Sequence, residues 1–266
     1  GPLSMIFEKS DLVPLETTGG LESVAVRFPS DPIAAALILA SSGYVAAPSA
    51  NTSGRPSPTT AEHVYQDMNG KIEMILDGGA VGIGVESTIV DVSGPVPMLL
   101  RPGAITIEML RETVGQVEID PAIQGPMAAN VKPKAPGMKY RHYAPKAELV
   151  LVEEKNPETK EVISDRVIEE INLLAKNRLD QGQKVGIICT EETRDCYPQG
   201  MVRSLGFRSR PETIAHNLFA VLREFDDLGV DYIYSESFPK DHLGQAIMNR
   251  LTKAAGYHIL DVKEEV

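Results

Sequence analysis

Cysteine is scarce in this chain: only Cys189 and Cys196 occur in 266 residues, and their spacing is not that of a CxxC metal or redox motif. A disulfide scaffold is thereby excluded, and a reducing, cytoplasmic setting is the expectation. No apolar run approaches the roughly 20 residues a membrane-spanning helix requires, and no signal-peptide pattern occurs in these residues. Basic residues are outnumbered, 26 Lys and Arg against 37 Asp and Glu, for a net charge of −11. A protein that grips a polyanionic backbone needs a basic face, so stable nucleic-acid binding is not expected. The one local basic run is Lys132, Lys134, Lys139, Arg141 and Lys146. The five histidines are scattered without ligand spacing, which predicts no metal site built by the protein itself. Internal repeats and low-complexity tracts are absent too.

What is present is ordinary globular material: 42% hydrophobic and 24% charged residues, in a chain long enough for two domains. Its most informative stretch runs from Ala46 to Thr60, AAPSANTSGRPSPTT. Serine and threonine hydroxyls, the Asn51 amide and the Arg55 guanidinium are held between prolines and a glycine, an arrangement suited to phosphate or carboxylate oxygens. The same residues also read as a polar turn whose hydroxyls cap a helix opening at Thr60-Ala61-Glu62-His63. The following segments favour the anion-binding reading. Asp77-Gly78-Gly79 closes an apolar run, Gly82-Ile83-Gly84-Val85-Glu86-Ser87-Thr88 leads into a strand, and Arg101-Pro102-Gly103-Ala104 follows another. Three polar turns beside strand candidates are where α/β folds commonly place ligands.

The periodicity predicts strands at 4–7, 24–28, 44–47, 74–77, 87–92 and 97–100, and helices at 32–41, 61–68 and 106–114. Thr106 is available as an N-cap for the last of these, with Glu108 in its first turn. Residues 125–146 read as an extended linker that is too rich in tyrosine and histidine for a simple tether. Beyond it, strands at 148–153, 185–190 and 232–235 alternate with helices at 165–179, 211–228 and 243–255. That order implies a mostly parallel, Rossmann-like sheet. No GxGxxG follows its first strand, so a dinucleotide site is not supported. The fold class is therefore α/β, with domains expected at 1–124 and 147–266.

Several segments together resemble the L-threonylcarbamoyladenylate synthase family, the YrdC-like enzymes. They are Ser23-Val24-Ala25-Val26-Arg27-Phe28-Pro29, the 47–59 run, Gly84-Val85-Glu86-Ser87-Thr88 and Leu100-Arg101-Pro102-Gly103, with Ala135-Pro136-Gly137-Met138-Lys139-Tyr140-Arg141-His142-Tyr143-Ala144-Pro145 resembling the linker of the two-domain form. The resemblance implies a YrdC-like twisted mixed sheet with helices, followed by a smaller Rossmann-like C-terminal domain. One departure stands out. The family's threonine-rich first strand and Lys-x-Arg-Pro motif do not occur before residue 20, so the chain is expected to start partway through its catalytic domain. Gly1-Pro2-Leu3-Ser4 reads as a vector scar or as the family's own Gly-Pro-Leu-Thr run, and the second reading is favoured.

The resemblance implies condensation of L-threonine, bicarbonate and ATP to threonylcarbamoyl-AMP and pyrophosphate, with Mg²⁺ carried by ATP. The product goes to the machinery that forms N6-threonylcarbamoyladenosine in tRNA. Arg27, Ala47 and Ser87 would contact threonine, and Ser23, Ser49, Asn51, Ser57 and Arg101 would face ATP, with Arg141 and Tyr143 closing over it. No residue is assigned as nucleophile or base, and no metal ligand is assigned. Two alternatives stay open: a nucleotide- or RNA-binding module without catalysis, and a carbamoyltransferase domain of the hydrogenase-maturation type. The absence of zinc-finger cysteines weighs against the second.

Overall fold

A computed structural model of the chain describes residues 1–123, 125, 142–154 and 162–262. In chain order the elements are β1 (Leu3–Glu8), α1 (Leu15–Thr18), β2 (Ser23–Arg27), α2 (Pro32–Ala40), α3 (Ala61–Met68), β3 (Thr88–Asp91), β4 (Met98–Arg101), α4 (Ile107–Val114) and β5 (Glu118–Ile119). They continue with β6 (Glu148–Glu153), α5 (Asp165–Leu179), β7 (Val185–Cys189), β8 (Met201–Ser204), α6 (Pro211–Leu228), β9 (Tyr232–Glu236), α7 (His242–Ala254) and β10 (Ile259–Asp261). Two compact units result. One combines Gly1–Ser49 with the described residues of Glu86–Lys139, and the other combines Ala50–Val85 with the described residues of Tyr140–Val266.

The first unit is built on a mixed sheet of order β2-β1-β3-β4-β5. β1 runs antiparallel to β2 and parallel to β3, with Ser4 opposite Arg27 and Ile6 opposite Asp91. Alternation along the strands divides its core in two. Ile6, Ile89 and Leu100 pack on one face, while Val90 and Leu99 on the other meet Ile107 and Leu110 of α4 and Val117. Thr106 caps α4, its hydroxyl accepting from the Met109 N–H at 3.4 Å, as its sequence predicts.

The second unit carries a wholly parallel sheet of order β10-β6-β9-β7-β8. Strands buried on both faces need near-continuous apolar runs, which LVLV in β6 and VGIIC in β7 supply. Val150, Val152, Ile187 and Tyr234 meet Val167, Ile171 and Ala175 of α5 on one side. Leu149, Leu151, Ile188 and Ile233 meet Leu218, Leu222 and Phe225 of α6 and Ile247 and Leu251 of α7 on the other. The result is a three-layer, Rossmann-like sandwich.

Three differences from the sequence expectation are physical. The apolar segments 44–47 and 74–77 are not strands: Tyr44 is 82% and Met74 74% exposed, and neither segment has a ladder partner for its backbone groups. Strands β8 and β10 are short sheet edges without the alternation that marks a strand in sequence. Finally, residues 50–85 cluster with the second unit, so the division of the chain does not fall at 124/125 alone. Most of the expected linker, 125–146, and Arg141 within it lie outside the described residues.

Candidate functional site

One end of the first unit's sheet collects polar side chains from four strands. β3 begins at Thr88, so Ser87 stands just before it, while Arg101 ends β4, Arg27 ends β2 and Ser4 lies near the start of β1. Mixed strand directions bring these termini to a single edge. Arg101 donates through Nε to the Ser87 carbonyl at 3.0 Å and through Nη2 to the Ser87 hydroxyl at 3.2 Å. The Ser87 hydroxyl also lies 2.9 Å from that of Ser4. The Arg101 fork is thus fixed in orientation, and a pre-set guanidinium beside hydroxyls suits a carboxylate or phosphate. Arg27 is exposed and, among the described residues, has no ion-pair partner.

The Arg101-Pro102-Gly103 bend is held against β3. The Thr88 hydroxyl donates to the Ile105 carbonyl at 2.7 Å and accepts from the Ile105 N–H at 3.1 Å. A Cβ on Gly103 would sit 2.5 Å from the Thr88 nitrogen and 2.9 Å from the Glu86 carbonyl oxygen, so only glycine allows this approach. Ser4 is the member of the cluster that sequence reading missed, because a lone serine inside a short apolar strand carries no local signal. Ser23 is not brought here: it pairs with Glu8 at the opposite end of β2 from Arg27. Ala47 and Ser49 lie in an exposed, irregular stretch of the same unit.

The glycine- and proline-bearing run beyond Ser49 is organised by the second unit. Asp67 of α3 is its anchor, accepting from the Thr52 N–H at 3.0 Å, from Arg55 Nη1 at 2.5 Å and from Arg223 Nη2 at 2.8 Å. Arg223, 1% exposed on α6, also donates to the Pro56 carbonyl through Nε at 3.0 Å and Nη2 at 2.7 Å. Burial opposes ionisation of Asp67, but the bonds from Arg223 and the Thr52 N–H and the charges of Arg223 and Arg55 outweigh it, holding the carboxyl below its ordinary value. The buried Asn51 amide donates to the Thr52 carbonyl at 3.0 Å, while its Oδ1 has no hydrogen-bond partner. Ser57 is half-buried in this run.

The far end of the run is held by His63. Its Nδ1 accepts from the Thr59 N–H at 3.2 Å, and the Thr60 hydroxyl caps α3 by accepting from the His63 N–H at 3.3 Å. Gly84, at φ +82°, lies so close to α6 that a Cβ would meet the Ala215 carbonyl oxygen at 2.3 Å. The His216 imidazole Nδ1 lies 3.1 Å from the Gly82 carbonyl oxygen.

The end of the linker joins the same assembly. The Ala144 N–H donates to the Gly54 carbonyl at 2.9 Å, and Asp226 accepts from the Lys146 N–H at 2.6 Å while lying 3.8 Å from Arg55. Tyr143 was expected to reach over ATP. The structure places its ring in the second unit's core, 3% exposed and 5.3 Å from the Phe219 ring, with backbone φ of 66°. Asp67, Arg223 and Asp226 escaped the sequence reading because the bonds joining Asp67 to Arg223, Arg223 to Pro56 and Asp226 to Lys146 span 80 to 167 residues of chain.

A mixed sheet whose one end gathers two guanidiniums and two hydroxyls, in a chain that also carries a parallel three-layer unit, defines a two-unit α/β protein. Two family models match it: "Threonylcarbamoyl-AMP synthase, C-terminal domain" over residues 105–256, and "Telomere recombination" over residues 1–103. The chain is 47% identical over 262 residues to a threonylcarbamoyl-AMP synthase of Pyrococcus abyssi, covering 98% of this chain and 72% of that protein. It is 45% identical over 261 residues to the Bacillus subtilis protein of the same name, covering 98% and 71%. The crystal structure of P. abyssi Sua5 complexed with L-threonine superposes with a TM-score of 0.87 at 45% identity, over 99% of this chain and 73% of that one. The chain belongs to the threonylcarbamoyl-AMP synthase family.

Proposed function

We propose that the chain makes threonylcarbamoyl-AMP from L-threonine, bicarbonate and ATP. The threonine amine forms a bond to the carbon of bicarbonate while a C–O bond of bicarbonate breaks, its oxygen leaving as water with the displaced protons, to give a carbamate. A carbamate oxygen then attacks the α-phosphorus of ATP, the bond to the β-phosphate oxygen breaks and pyrophosphate leaves. No covalent intermediate on the protein is needed, so catalysis consists of positioning and of stabilising charge.

Arg27 pairs its fork with the threonine carboxylate, with Ser87 and the Ala47 backbone lining the same pocket. Arg101, Ser49, Asn51 and Ser57 face the nucleotide and its phosphates, and Arg141 belongs to the same set. Ser4 joins Ser87 as a positioning hydroxyl. The observation that carries this reading is the Ser87 hydroxyl, within hydrogen-bond reach of both Ser4 and Arg101 at the strand end that also bears Arg27.

Mg²⁺ enters on the triphosphate, where it offsets phosphate charge. The product passes to the tRNA threonylcarbamoyl-transferase machinery in the cytoplasm. Among the described residues no helix is long and apolar enough to cross a membrane. The test is pyrophosphate release from ATP, Mg²⁺ and bicarbonate. Release that depends on L-threonine supports the proposal, whereas ATP binding without any release would make the chain a binding module instead.

A further inference from the structure

Arg223 is a buried cation on α6 that stands outside the residues assigned to the reaction. It is 1% exposed, and four of its five N–H donors are aimed at two acceptors. Nε and Nη2 converge on the Pro56 carbonyl at 3.0 and 2.7 Å, while Nη1 and Nη2 meet the Asp67 carboxylate at 3.3 and 2.8 Å. Asp67 in turn accepts from the Thr52 N–H at 3.0 Å. A buried ion pair stabilises a fold no better than well-packed apolar residues of the same volume. What apolar residues lack is direction: a planar guanidinium with a rigid fork orients the group it grips.

The gripped group is the peptide joining Pro56 to Ser57. That peptide is trans, so its C=O and N–H point in opposite directions. With the carbonyl turned to Arg223, the Ser57 N–H is directed away from α6. Prolines stand on both sides of Ser57, so this N–H is the sole main-chain donor of residues 56–58. The flanks of the run are tied down within the same unit. The Gly54 carbonyl accepts from the Ala144 N–H at 2.9 Å, and the Thr59 N–H donates to His63 Nδ1 at 3.2 Å.

We infer that Arg223, oriented by Asp67, is a positioning residue for nucleotide binding: it fixes the peptide before Ser57 so that Ser57 is presented to a phosphate oxygen of ATP. This rests on the nucleotide role proposed for Ser57. The test measures ATP affinity by calorimetry without threonine or bicarbonate, and separately the ATP and threonine dependences of pyrophosphate release. Arg223→Lys keeps a cation for Asp67 but loses the two-point grip on the Pro56 carbonyl. It should weaken ATP binding and raise the ATP KM at least about tenfold, with the threonine KM changed less than about twofold. Ile171→Val trims the core under α5 and should leave both dependences unchanged, which separates positioning from lowered stability. Should Arg223→Lys fail to fold, Asp67→Asn keeps an acceptor for the Thr52 N–H, removes the charge that orients Arg223, and should likewise weaken ATP and spare threonine. In the wild type the Ser57 amide resonance should shift saturably with ATP and with inorganic triphosphate. The inference is overturned if ATP affinity is unaltered in the folded variant, if the threonine KM rises equally, or if ATP leaves the Ser57 amide unmoved. Threonine-dependent release in the wild type with unaltered ATP affinity in the variant overturns it alone. Weakened ATP binding in Arg223→Lys, beside a wild type that binds ATP but releases no pyrophosphate, upholds it and overturns the proposed reaction instead.

Discussion

At the scale of single residues, the candidate site rests on side chains whose chemistry is visible in sequence and on others whose role is not. Arg27, Ser87 and Arg101 stand in motifs of distinctive composition. Ser4, Asp67 and Arg223 do not, since their partners are fixed only by folding. Replacing Arg27 by alanine removes the proposed charge-assisted, two-point contact with the threonine carboxylate, which should raise the threonine concentration needed for half-maximal pyrophosphate release by about 10- to 100-fold. ATP dependence should change little, and an unaltered threonine requirement would remove Arg27 from the pocket. Arg223→Met tests the anchor of the glycine-bearing run. It leaves the Pro56 carbonyl without its buried donors and Asp67 with only Arg55 as a cation. Breaking one side of a buried pair costs about 3–5 kcal/mol, and the measurement is denaturant unfolding. A loss below about 1 kcal/mol would show that Arg55 alone suffices.

At the scale of elements, the regular pieces were legible wherever a local signal coincided with burial. Helix α5 carries Val167, Ile171 and Ala175 at helical spacing and runs over the predicted residues, and α3 and α4 start at their predicted threonine caps. The segments at 44–47 and 74–77 had the apolar composition of strands but no neighbour to complete a ladder. Helix α3 also carries a pH effect. Burial lowers the His63 pKa from 6.5 and the Arg223 charge lowers it further, against smaller opposing effects of Asp227, Asp67 and Glu62. Below pH 6.5 the unfolded chain therefore binds a proton at this site that the folded chain resists. Stability is fully present above that pH and declines as the pH falls from 6.5 to the lower folded value. Protonation at Nδ1 would also break the bond from the Thr59 N–H. Unfolding free energies at pH 7.5 and 5.5 should differ more in the wild type than in His63→Gln; identical differences would show that His63 does not couple the run to pH.

At the scale of the whole molecule, the alternation of strands and helices after residue 147 was enough to read a mostly parallel sheet, because β6 and β7 are apolar on both faces and the helices between strands on one. The mixed sheet of the first unit was less legible, since its strands are short and its order, β2-β1-β3-β4-β5, depends on pairings remote in sequence. The membership of residues 50–85 in the second unit was hidden for the same reason: its determinants are the Arg223, Asp67 and Asp226 contacts, not composition. The proposed reaction joins threonine, bicarbonate and ATP in one product. Incubation with ¹³C-bicarbonate, L-threonine, Mg²⁺ and ATP, followed by mass spectrometry, tests it most directly. A threonine- and time-dependent species with the mass of threonylcarbamoyl-AMP carrying the label is expected, diminished in Arg27→Ala. Pyrophosphate release without a labelled adduct, or an adduct that forms equally without the protein, would contradict it.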